Sequence, residues 1–173
     1  MASFLHSTGV MELATLASGS VIWSLSNPAS ATKPLRIKRL TTDSGFSGIA
    51  AATKIPIALN RATGTAAGGT ANASTTGIPK RRGAGLGDAP AALLRWGPAA
   101  VTGLTDATPE GIIKSTMIDH QNGPMVWDEL IEDIKDLERT DPLEIAPGTS
   151  LVLRTGAVSV AGSAIGVDVE WWE

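Results

Sequence analysis

The chain has 173 residues, a net charge of −3 at neutral pH and no cysteine. That length fits one domain, able to bury about 70% of its unfolded surface without covalent staples. No disulfide framework or thiolate metal site is available, and the mild acidity excludes the electrostatic footprint of a nucleic-acid binder.

Residues 1–19 carry a single charge, Glu12, and their apolar side chains are Phe4, Leu5, Val10, Met11, Leu13 and Leu16. Two readings stand side by side. The segment is either an N-terminal arm that orders on a partner surface, losing its chain entropy on binding, or an ordinary first strand. No Lys or Arg precedes the apolar residues, and small polar residues interrupt them, so no signal peptide is expected. No run of about 18 apolar residues offers a membrane span.

Val21–Ser26 alternates apolar and polar residues until Asn27-Pro28-Ala29-Ser30 supplies turn chemistry. Leu35–Leu40 resumes the alternation, and Ile55–Leu59 repeats it with Pro56, which cannot donate to a ladder and predicts an edge or irregular strand. Ala62–Gly77, with Gly68-Gly69 at its centre, has little apolar bulk and reads as a long loop. Leu93–Trp96 and Ile112–Ile118 are the next strands. In Met125–Arg139, Val126, Leu130, Ile134 and Leu137 fall at helical spacing, which predicts a short helix near 126–138. Val126–Ile131 fits equally well a strand leading into an acidic loop. The acidic residues from Asp128 to Glu138 lack the calcium-loop pattern and read as a solvated face.

The chain closes on two strand-like runs, Leu143–Arg154 and Ala164–Trp172. Side chains alternate faces along a strand, so Val167, Val169 and Trp171 share a core face while Asp168, Glu170 and Trp172 share the other. A hairpin placing Arg154 opposite Asp168, Leu153 opposite Val169 and Leu151 opposite Trp171 would keep all the apolar residues on one side. Trp172 then leaves the core as a predicted subunit contact. Trp23, Trp96 and Trp127 are expected in the core. Short strands broken by Gly/Pro turns predict an all-β fold, an antiparallel, jelly-roll-like β-sandwich over residues 20–173 behind the arm of residues 1–19.

Catalytic equipment is not found in the pattern. Gly83-Ala84-Gly85-Leu86-Gly87 has Asp88 where a dinucleotide fingerprint needs its third glycine. Ser30-Ala31-Thr32-Lys33 lacks the companion motifs of a serine acylase. The two histidines, His6 and His120, sit beside no nucleophile pattern. The expectation is no enzyme, no cofactor and no metal. Lys80-Arg81-Arg82 is the cationic run; without interleaved aromatics it suits a salt-bridging contact with a partner's acidic surface or a solvated loop better than nucleic acid.

The order of elements resembles small jelly-roll virion proteins of tailed bacteriophages, the capsid decoration or cement proteins and related head and tail fibres. The matching pieces are Trp23–Pro28 followed by Pro34–Leu40; Thr42–Gly48 followed by Ala50–Thr53; Gly68-Gly69-Thr70-Ala71 and then Lys80-Arg81-Arg82; Ile145–Arg154 with its Pro147-Gly148 entry; and the closing Val167-Asp168-Val169-Glu170-Trp171. The acidic 128–139 segment departs from that pattern. The resemblance implies a non-enzymatic homotrimer on the capsid surface of a virion. It would bind major capsid protein subunits and stabilise contacts between them, with no nucleic-acid or membrane partner. Phe4, Leu5, Val10, Met11, Leu13, Lys80, Arg81, Arg82 and Trp172 are the contact residues this suggests. The alternatives are a carbohydrate- or receptor-binding sandwich using an exposed Trp as a stacking platform, and a tail or baseplate component of the same fold.

Overall fold

A computed structural model describes residues 3–46, 54–71, 80–82, 92–106, 112–119, 126–131, 143–156 and 162–173. The described residues form strands and connecting turns, with no helix among them. The eleven strands are β1 (Ser3–Glu12), β2 (Val21–Ser26), β3 (Leu35–Phe46), β4 (Lys54–Ala71), β5 (Lys80–Arg82), β6 (Leu93–Asp106), β7 (Ile112–Asp119), β8 (Val126–Ile131), β9 (Leu143–Ile145), β10 (Thr149–Thr155) and β11 (Ser163–Trp172). Two antiparallel sheets result. The first runs β5-β1-β11-β3-β8, with β9 also on β3; the second runs β10-β2-β6-β4-β7. Because β10 pairs with β4 as well as β2, the strands β10, β2, β6 and β4 form a closed circuit.

The sheets share one core, a β-sandwich as the alternation predicted. Phe4, Ile37, Leu40, Val167, Val169 and Trp171 from the first sheet meet Trp23, Leu25, Leu59, Leu94, Leu151 and Leu153 from the second. Trp23 and Trp171 are completely buried, and Trp171 stacks on Phe4 with ring centroids 5.6 Å apart. The indole of Trp171 donates to Glu173 Oε1 at 3.1 Å, which gives its one polar atom an outlet.

Several expectations change. Residues 3–12 are strand β1, paired with β11 along its length and with β5 at its start, rather than an arm. The apolar reason is direct: Phe4, Met11 and Leu13 complete the core. Residues 62–71 belong to the long strand β4 rather than to a loop. Their small side chains allow a close backbone approach to β6, where a Cβ at Gly64 would meet Gly103 O at 2.4 Å and one at Gly103 would meet Thr65 O at 2.3 Å. Both glycines have positive φ, 105° and 80°, so backbone geometry replaces apolar bulk as the holding device. Val126–Ile131 is strand rather than helix; residues 132–138 lie outside the described residues. Pro56 lies inside β4, which is flanked by β6 and β7 and so is no edge strand; one residue past the β10 ladder its carbonyl still accepts from Gly156 N at 2.6 Å, and the missing N–H leaves that bond without its reciprocal.

The predicted terminal hairpin does not form. β10 pairs with β2 and β4 in one sheet, and β11 with β1 and β3 in the other. Arg154 and Asp168 are therefore not cross-strand neighbours. Leu151, Leu153, Val167, Val169 and Trp171 still converge on one core, because they face each other across the sandwich rather than side by side.

Candidate functional site

Strand β11 lies between β1 and β3, and its even-numbered residues face outward. The registers set out three rows across the outer face: Ser3, Trp172 and Arg36; Leu5, Glu170 and Arg39; Ser7, Asp168 and Thr41. A cleft of about 300 Å³ opens over the second and third rows, lined by Leu5, Ser7, Arg39, Thr41, Asp168 and Glu170.

Two bulges frame this cleft. On β3 the register slips between Arg39 opposite Glu170 and Ile37 opposite Trp171, leaving Lys38 as the extra residue. Such a bulge re-aims side chains. Consecutive cations, Lys38 and Arg39, thereby flank Glu170 while Ile37 and Leu40 stay fully buried. On β1 the slip falls between Ser7 and Val10, with Gly9 at φ 62°. There the Thr8 hydroxyl accepts a hydrogen bond from Val167 N at 2.9 Å, which compensates the broken ladder. The first bulge was visible in the sequence as two charged residues between Ile37 and Leu40, where strict alternation allows one.

Glu170 is the anchor. It is 4% exposed, and a buried carboxylate needs partners. Lys38 Nζ lies 3.0 Å from Glu170 Oε1, and Ser3 Oγ donates to the same oxygen at 3.0 Å. Lys38 Nζ also sits 5.9 Å from the centroid of the Trp172 ring, within cation–π range. Trp172 is half-buried under that ammonium rather than projecting free. Asp168 stays open to the cleft. Its charge, after the larger effect of burial, pushes the Asp43 carboxyl above its ordinary range.

The opposite face of β1 carries His6. It is 8% exposed and tilts against Trp96, ring centroids 4.7 Å apart, with Nδ1 lacking a hydrogen-bond partner among the described residues. Burial lowers its pKa, partly opposed by the Asp168 carboxylate. A second cleft of about 320 Å³ lies between the 27–35 loop and Glu173. The Asn27 amide there donates to Lys33 O and Ile145 O, and Glu173 accepts from Ala92 N and Trp171. Those groups hold the chain together.

Of the predicted contact residues, Phe4 and Met11 on β1 and Leu13 just after it are buried in the core and closed to a partner. Leu5 is half-buried at the cleft, Val10 is 59% exposed and Trp172 is half-buried on the same face as Glu170. Lys80, Arg81 and Arg82 form β5 beside the start of β1; their side chains lie outside the described ones. Trp23 is core as expected, Trp96 packs against the core, and the Trp127 side chain is outside the described ones. His120 and residues 83–88 also lie outside the described residues. No group of three or more His, Cys, Asp or Glu suited to a metal occurs among the described residues. In comparisons with family models, curated proteins and solved structures, nothing matches this chain.

Proposed function

We propose that the protein is a non-enzymatic virion structural protein of a tailed bacteriophage, a capsid decoration or cement protein that clamps neighbouring capsid subunits as a homotrimer on the shell surface. The order of sequence elements and the β-sandwich architecture both favour this reading. The observation that carries it is the outer edge of β1. Beyond Phe4 that strand is paired on one side only among the described residues, and it presents Val10, the most exposed large apolar side chain among them. An open strand edge bearing an exposed apolar residue is an invitation to another chain, by ladder extension or by apolar contact. Trp172, held under Lys38, is a second half-exposed apolar surface on the same sheet.

The test is the stability of shells assembled with and without the protein. Shells carrying it are expected to survive heat and low salt that burst bare shells, and Val10→Asp is expected to reduce occupancy seen by electron microscopy. Equal survival of decorated and bare shells would refute the reading. Light scattering that finds only monomers at high concentration would remove the trimer.

A further inference from the structure

We infer that the cleft on the outer face of β1, β11 and β3 is a binding site for a neutral saccharide, a second activity independent of any clamping role. The site is built rather than incidental. Both strands flanking β11 bulge where it opens, one bulge turning Lys38 and Arg39 to the same face and the other turning the chain away after Ser7. Its deepest polar group, Glu170, is 4% exposed and fixed from two sides by Lys38 and Ser3.

The chemistry of the lining selects the ligand class. Asp168 offers acceptors to the cleft, the Ser7 and Thr41 hydroxyls can donate and accept, and Arg39 and Glu170, which have partners within the fold, set opposite charges in its wall. Leu5 supplies an apolar patch against which the C–H face of a sugar ring can lie. The formal charges of Lys38, Arg39, Asp168 and Glu170 cancel. An anionic ligand would meet two carboxylates, and a metal cation would find no cluster of three ligating side chains among the described residues. A neutral ligand with many hydroxyls satisfies donors and acceptors together. At about 300 Å³ the cleft lies at the small end of ligand pockets, which fits one or two sugar rings. Trp172 stands in the adjoining row, opposite Ser3, where a further ring of a longer glycan would reach.

The test combines an array of neutral and anionic oligosaccharides with NMR titration of the whole chain by glucose, galactose, mannose and N-acetylglucosamine. Expected are binding to neutral array members and saturable shifts of the Ser7, Thr41 and Asp168 amides with at least one sugar. Asp168→Ala should weaken that binding about ten- to a hundredfold, the loss of a hydrogen bond to a charged group. Asp168→Asn, which keeps one acceptor and the volume, should restore part of it. Val10→Ser, at the strand edge away from the lining, should leave it unchanged. No saturable shift with any of the four sugars, array binding confined to anionic glycans, or equal affinity in a folded Asp168→Ala variant would each overturn the inference. Shell stabilisation is read separately, so either proposal can fail without the other.

Discussion

Replacing His6 with Phe tests how the sandwich holds its first strand. His6 is 8% exposed, packed on Trp96, and its Nδ1 has no partner among the described residues. Protonation would put a charge where burial opposes it, so the folded pKa lies below the unfolded value of 6.5. The sign follows. Above pH 6.5 the imidazole is neutral in both states and contributes no pH dependence. As pH falls below 6.5 the unfolded chain takes up the proton first, and stability is lost until the folded pKa is reached. The slope in that window is at most about 1.4 kcal/mol per pH unit. In a domain of this size each kcal/mol moves Tm by about 2–4 °C. Urea unfolding of the wild type and His6→Phe, from pH 7.5 down to pH 5, isolates the contribution by difference. Asp43, whose folded pKa is raised, acts in the opposite direction at lower pH, and subtraction removes it. Phe keeps the apolar contact with Trp96 and cannot titrate, so its curve should be flatter than the wild type's below 6.5. Parallel curves through that range would show that His6 is not held neutral by the core.

Trp171→Ala should cost about 3–5 kcal/mol, since it removes a fully buried indole stacked on Phe4, and thermal or urea unfolding measures it. Gly103→Ala should destabilise by more than about 1 kcal/mol, because a Cβ there meets the Thr65 carbonyl and the backbone has positive φ; hydrogen exchange should show the loss centred on β4 and β6. A Gly103→Ala protein as stable as the wild type would mean that the two strands approach less closely.

The alternation along Val167–Trp171 was enough to separate inside from outside, and each residue it sent inward is buried. It could not say which sheet each strand joins. Leu151 and Leu153 satisfy one core whether they lie beside Val169 or across from it, so closeness in sequence suggested a hairpin where the chain instead crosses between sheets. The N-terminal segment was ambiguous because Phe4 and Leu5 are adjacent and the inward position after Phe4 is a histidine, which breaks the apolar pattern. The 62–71 stretch was misread for a different reason: its pairing depends on what glycine lacks, and hydropathy does not record close backbone approach. At the candidate site, Glu170 and Asp168 were placed on the outward face by period alone. Burial of Glu170 came from the side, through Lys38 on a strand more than 130 residues earlier in the chain, and only tertiary pairing reveals that.

Strand β11 is the middle strand of its sheet, yet it follows both of its neighbours, β1 and β3, by more than a hundred residues in sequence. During synthesis β1 and β3 must therefore wait, with the row from Phe4 to Met11 uncovered, until β11 emerges to join them. The second sheet has its own closed circuit and depends on β10 rather than β11. Loss of β11 would thus leave one sheet without its central member while sparing the ladder partners of the other. A product that lacks β11 is expected to expose its core and to be captured by chaperones or proteases rather than to persist as a shortened sandwich.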